Sequence, residues 1–175
     1  VRVFAREELK QLHRELKTTI IYVTHDQVEA LSLATKLAVL HDGVIQDYGD
    51  PVEVYRNPRN AWVASFVGNP PMNLVRVRVS GSELVSEDGA LRLPLPEAYR
   101  GLVKEGQEVL AGFRPEHATV GGGRLRGKVT MVERAGAYTV LHVAVGGTTV
   151  RLVQPSLGTY SAGDEAPFDV PPEAV

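Results

Sequence analysis

The spacing of apolar positions changes character several times along this chain, and those changes predict its elements. From Phe4 to Lys17 the spacing is helical, with Leu9, Leu12 and Leu16 on one stripe and Arg6, Glu7, Lys10 and Arg14 elsewhere. Ile20-Ile21-Tyr22-Val23, running into Thr24, is a continuous β-branched and aromatic run, which predicts a fully buried strand of a parallel sheet. Helical spacing resumes at Val28, Leu31 and Ala34 and predicts a helix from about Asp26 to Thr35. Thr24 with Gln27, or Asp26 with Glu29, has the form of a capping box that would start it, and the sequence leaves both open. Leu37 to Leu40 and the stretch through Val44, Ile45 and Tyr48 read as two strands joined at His41-Asp42-Gly43, a hairpin signal. Helix alternating with buried strand predicts an α/β architecture for this part of the chain.

Two short helices follow. Asp50 suits an N-cap, Pro51 the first helical position and Glu53 the third, and Pro58 forbids continuation past Asn57. Asn60 is placed to cap a second helix carrying Trp62, Val63 and Phe66, with Gly68 placed to end it. Core packing is the expected role of its aromatics. At Gly68-Asn69-Pro70-Pro71 the pattern changes to short alternating runs broken by glycine, which sets a boundary between residues 1–68 and 69–175. Of the 17 glycines, only Gly43, Gly49 and Gly68 lie before this point. Leu74 to Val79, Val109 to Phe113, Lys128 to Val132, Tyr138 to Val143 and Thr148 to Val153 each read as strands, predicting a small barrel or sandwich. Gly121-Gly122-Gly123 reads as a flexible turn rather than a phosphate loop, because no Lys-Ser/Thr pair follows it.

Composition narrows the chemistry. A formal charge of -2, from signs mixed along the chain, gives no electrostatic case for nucleic acid or an acidic membrane surface. The absence of cysteine excludes disulfides and fits a reducing compartment. No apolar run reaches bilayer-spanning length and no charged-then-apolar leader opens the chain, so a membrane role would come through a partner. His13, His41, His117 and His142 lack zinc-like clustering and are expected to be structural or surface residues; no metal ligand or cofactor-binding residue is assigned.

His25 is the candidate functional residue. The predicted strand would hold it at a carboxyl edge, next to the start of a helix, where open α/β sheets bind ligands and phosphates are favoured. An imidazole there can donate a hydrogen bond to a phosphate oxygen. On pattern alone, a histidine after a strand is more often a cap or a packed residue than a functional one.

Thr24-His25-Asp26-Gln27-Val28-Glu29-Ala30 resembles the switch-histidine segment of ATP-binding cassette (ABC) ATPases of the maltose-importer type. Gly49-Asp50-Pro51-Val52-Glu53-Val54-Tyr55, Asn57-Pro58 and Ala61-Trp62-Val63-Ala64-Ser65-Phe66-Val67-Gly68 are similar to the end of the family's nucleotide-binding domain. Gly68-Asn69-Pro70-Pro71-Met72-Asn73 resembles the start of its C-terminal regulatory region, and Gly112-Phe113-Arg114-Pro115-Glu116-His117 a motif inside it. The resemblance implies the C-terminal part of an ABC nucleotide-binding domain over 1–68 and an OB-like, TOBE-type β domain over 69–175. It implies that His25 contacts the γ-phosphate of ATP in the intact subunit, with Mg2+ present, at a homodimer interface. It implies permease subunits as further partners, a location at the cytoplasmic face of the membrane, and sugars or related polyols as the solutes imported.

The departures are equally specific. Gly-x-x-x-x-Gly-Lys-Ser/Thr, an apolar strand ending in Asp-Glu and a signature segment are all missing from the 175 residues. By the resemblance those parts lie upstream of Val1, so the chain alone is expected neither to bind ATP tightly nor to hydrolyse it. Thr35-Lys36, Val44 and Trp62 are smaller departures and leave the motifs intact. Two rival readings stand beside this one. One is a stand-alone OB-like module holding an oxyanion or an oligonucleotide; sparse aromatics not interleaved with a basic stripe oppose nucleic acid, and a solvated strand face accounts for Arg76, Arg78, Arg124, Arg126 and Lys128. The other is a His-dependent hydrolase, which ranks last because Ser32 and Ser65 lack a nucleophile-elbow context.

Overall fold

The computed structural model describes residues 2–155 and 158–175. They group into two compact units, one ending at Gly68 and one beginning at Asn69.

The first unit runs α1 (Arg2–Leu16), α2 (Gln27–Leu33), β1 (Leu37–His41), β2 (Val44–Gly49), α3 (Pro51–Arg56) and α4 (Ala61–Phe66). β1 and β2 form an antiparallel hairpin in which His41 faces Val44. Asp42 and Gly43, between them, have φ of 48° and 76°, the left-handed pair that a tight primed turn requires. Both short helices start as the sequence predicts. Asp50 accepts from the Val52 N–H at 2.9 Å with Pro51 behind it, and Asn60 accepts from the Val63 N–H at 2.9 Å. Their buried residues Val54 and Val63 meet Val39 of β1 and Val67 in a small core, against which Leu31, Leu37, Tyr55 and Trp62 pack. Buried Asp47 braces the far end, accepting from the Arg59 N–H at 2.9 Å and from its neighbour Tyr48 at 2.8 Å.

One expectation fails in this unit. Ile20 to Thr24 is not a buried strand: the segment has no regular secondary structure, and Ile21 and Val23 are 88% and 89% exposed. A strand needs a neighbour to satisfy its N–H and C=O groups, and among the described residues the unit's one sheet is the β1–β2 hairpin. The α/β pattern is therefore realised here as helices around an antiparallel hairpin. Trp62 is half-buried as expected of a packing residue, but Phe66 is 49% exposed.

The second unit is all β apart from single turns of 3-10 helix. Its strands are β3 (Asn73–Ser80), β4 (Glu83–Ser86), β5 (Arg92–Pro94), β6 (Glu108–Phe113), β7 (Thr119–Arg134), β8 (Tyr138–Val145), β9 (Thr148–Pro155) and β10 (Glu165–Asp169). They form two antiparallel four-stranded sheets, ordered β5-β4-β3-β6 and β10-β7-β8-β9. Alternation decides the facing: Val75, Val77 and Val79 of β3 are buried while Arg76 and Arg78 are exposed. Residues from both sheets, including Leu93, Phe113, Leu141, Leu152 and Phe168, share one core. The Asn73 side chain stitches the sheets together, donating to the Arg151 carbonyl at 2.8 Å and accepting from the Arg151 N–H at 2.7 Å.

Gly121-Gly122-Gly123 is not a turn between strands. It lies inside β7, where the pairing with β10 jumps from Val120 opposite Phe168 to Arg126 opposite Pro167, so residues 121–125 form a wide bulge. Gly121 and Gly123 supply the positive φ values it needs, 101° and 125°. A Cβ on Gly123 would run into the Phe168 carbonyl. Strands β4, β5 and β10 are too short or too proline-marked to be evident in the sequence pattern.

Candidate functional site

His25 occupies an exposed bend immediately before α2. Because the preceding segment is not a strand, the ring does not stand at a sheet edge; local hydrogen bonds hold the bend. The Asp26 N–H donates to Thr24 Oγ1 at 2.9 Å, and Asp26 Oδ1 accepts from the Val28 and Glu29 N–H groups at 2.9 and 3.1 Å. Asp26 is thus the N-cap, resolving the choice the sequence leaves open. Glu29 acts differently from a capping-box partner: its carboxylate accepts the hydroxyls of Thr24 at 2.9 Å and Tyr22 at 3.1 Å. The Tyr22 bond pushes its phenol above the ordinary tyrosine value.

Gln27 carries the anchoring further. Its amide donates to the Phe66 carbonyl at 2.6 Å and accepts from the Gly68 N–H at 2.7 Å, tying the start of α2 to the end of α4. The bend from Thr24 to Glu29 is therefore fixed on both flanks, while the imidazole it presents faces solvent. Such a ring can donate to or accept from an incoming group without the backbone having to reorganise. The role of Gln27 was not evident in the sequence, because its partners lie about forty positions away.

The other histidines lie apart. His41 lies tilted by 36° against Trp62 with ring centroids 4.3 Å apart, and Trp62 stacks on Phe66 at 4.8 Å. His142 of β8 pairs with Glu133 of β7. Among the described residues, no three side chains of His, Asp or Glu gather as metal ligands. In the second unit, Arg114 of the Gly112 to His117 motif is 1% exposed. Asp88, in the β4–β5 loop, accepts from the Gly147 N–H at 2.6 Å, Ser86 Oγ at 2.7 Å and the Ala90 N–H at 3.1 Å, and these bonds hold its carboxyl at about 2. That clasp fixes the β4–β5 loop to the β8–β9 turn.

Two family models match the second unit, and relatives extend the similarity across the first. Residues 68–118 match the MalK OB fold domain and residues 111–175 match the TOBE domain. The chain is 40% identical over 177 aligned residues to the sulfoquinovosyl glycerol transport ATP-binding protein SmoE of Agrobacterium fabrum, covering 97% of this chain and 49% of that one. It is 36% identical to the uncharacterized ABC transporter ATP-binding protein YcjV of Escherichia coli, over 94% of this chain and 47% of that one. With the sn-glycerol-3-phosphate import ATP-binding protein UgpC of Bordetella pertussis it shares 39% identity, over 81% of this chain and 39% of that one. The chain spans 39% to 49% of the length of these curated relatives. Among solved structures, the cytoplasmic molybdate-binding protein ModG aligns with a TM-score of 0.44 at 18% identity, over 57% of this chain and 96% of that one, a likeness too loose to bear on function. No helix among the described residues is long and apolar enough to cross a membrane. Residues 68–175 thus carry a MalK-type OB fold and a TOBE domain, and along most of its length the chain resembles the C-terminal region of ABC importer ATP-binding proteins.

Proposed function

We propose that this chain forms the C-terminal part of an ATPase subunit that powers import of sugars or related solutes, with His25 as the switch histidine. The observation that carries this is the continuous similarity to importer ATP-binding proteins across both units, 97% of the chain in one case. The relatives' printed names include a sulfoquinovosyl glycerol transporter and a glycerol-phosphate importer, so small polar, polyol-like solutes are the class favoured. In the assembled subunit, nucleotide and Mg2+ are bound mainly by phosphate-loop and carboxylate elements that these 175 residues lack. What this chain contributes is one neutral or protonated imidazole, held on a fixed bend and open to solvent, that hydrogen-bonds the terminal phosphate. A rigid donor aimed at developing charge lowers the barrier without reorganisation at the moment of reaction.

The second unit is the regulatory and subunit-joining part, pairing with a second copy of the subunit. Permease subunits hold the assembly at the cytoplasmic face of the membrane. The isolated chain neither binds ATP tightly nor turns it over. The test is His25→Ala in the full-length subunit assembled with its permease. Turnover should fall by about 10²–10³-fold with assembly intact, the loss expected of one phosphate-directed donor. Unchanged turnover in that variant, or magnesium-dependent hydrolysis by the 175-residue chain alone, overturns the assignment.

A further inference from the structure

The geometry points to a binding site for a phosphate-type dianion in the second unit, in the cleft where the β4–β5 edge meets the bulge of β7. Glu83, Ala90, Arg92, Arg124, Leu125 and Arg126 line an open cleft of about 330 Å³. Three of its four charged lining residues are arginines, and they come from separate strands: Arg92 from β5, Arg124 and Arg126 from β7. By sequence pattern alone, Arg124 and Arg126 belong to a solvated strand face. The bulge changes that, because it inserts residues 121–125 beyond the register of β10 and carries Arg124 at its end. Bulges of this kind re-aim side chains at the rims of β structures. Leu125, 7% exposed, anchors the strand in the core between the two guanidinium stems.

The arginines are engaged, but loosely. Arg92 meets Glu83 at 2.9 Å, Arg126 meets Glu165 at 3.1 Å, and Arg124 lies 3.8 Å from Asp169. Side-chain exposures of the three arginines run from 54% to 70%, and solvent-exposed pairs of this sort contribute little. Glu165 and Asp169 stand on β10 and do not line the cleft. A dianion can therefore draw two or three planar, multi-donor guanidinium groups inward at small cost, and bidentate arginine–phosphate bonds are among the strong charge-assisted ones. The opposite wall is fixed in advance: Ala90 follows the Asp88 clasp, which is anchored to Gly147 on the other sheet. This inference rests on the second unit alone and is independent of the role assigned to His25.

The test uses the 175-residue chain, labelled with nitrogen-15 and titrated with inorganic phosphate at constant ionic strength. Saturable shifts should concentrate at the amides of residues 90–92 and 124–126 and at the Nε–H groups of the three arginines. The double variant Arg124→Gln, Arg126→Gln should weaken binding by about tenfold or more, as loss of charge-assisted bonds predicts. Arg78→Gln serves as the control, since Arg78 forms an exposed pair with Glu108 at 2.7 Å outside the cleft. Should the double variant lose its dispersed spectrum, Arg92→Gln, on the other sheet, carries the same expectation. Non-saturating shifts, shifts spread equally to Arg78, or equal losses in the control and cleft variants overturn the site.

Discussion

The two units solve the burial problem differently. In the second, Leu91, Leu93, Phe113, Leu141, Leu152 and Phe168 are all 0% exposed, and both sheets contribute to one interior. In the first, the core reduces to Val39, Val54, Val63 and Val67, while Ile21, Val23, Val28, Ile45 and Tyr48 are 58% to 89% exposed. Polar ties supply much of the first unit's order instead: Asp47 to Arg59, Asn60 to Val63, Gln27 to Phe66 and Gly68. A net hydrogen bond contributes about 1 kcal/mol, and a small core leaves little margin over conformational entropy. The second unit therefore has the makings of an independent folding body, whereas the first depends on whatever covers its apolar surface.

Trp62 is the chain's one tryptophan and lies in the first unit, so its fluorescence reports that unit, while the backbone amide NMR signals of β3 to β10 report the β-sheet transition of the second. In urea, the fluorescence transition should come at lower concentration than the β-sheet transition; coincident transitions would break the contrast. The largest single effect is expected from Phe168→Ala, about 3–5 kcal/mol from the β-sheet transition, with the Trp62 signal unmoved. Gly123→Ala comes next, at roughly 1–3 kcal/mol, because a left-handed residue and the Phe168 carbonyl both oppose a side chain there; thermal melts would measure it. Gln27→Ala removes two hydrogen bonds and should cost the first unit about 1–2 kcal/mol, seen only in fluorescence.

The smallest effect concerns acid. The Asp88 carboxyl sits at about 2, below the ordinary value near 4, so its clasp contributes stability above pH ~4 and loses it as pH falls toward 2. The melting-temperature difference between the native chain and Asp88→Ala should be constant near neutrality and shrink across that interval. A difference that stays constant down to pH 2 would mean that the carboxylate's charge is not what holds the clasp.

Much of this was legible in the residues. The caps at Asp50 and Asn60, the Asp42-Gly43 hairpin and the alternation of β3 are local, and local rules give them. Ile20 to Val23 misled because a hydrophobic β-branched run specifies a strand only when a neighbour is present to pair with it. Gly121 to Gly123 misled because glycine permits a bulge as readily as a turn, and only the β7–β10 register distinguishes the two. For the candidate sites, His25 stood out by its segment, but its anchoring through Gln27 and the convergence of Arg92 with Arg124 and Arg126 are long-range. Such convergence exists only after the strands have paired.

The amide of Asn73 has a further effect at the rim of the sheet. β9 is an outermost strand, and at Arg151 both main-chain groups that do not face β8 are already taken by that side chain. A stray extended peptide approaching this rim would find its central docking rung occupied, which guards the β domain against strand-by-strand accretion. Thr18 to Val23 carries no such guard, so clumping of the isolated polypeptide should begin there.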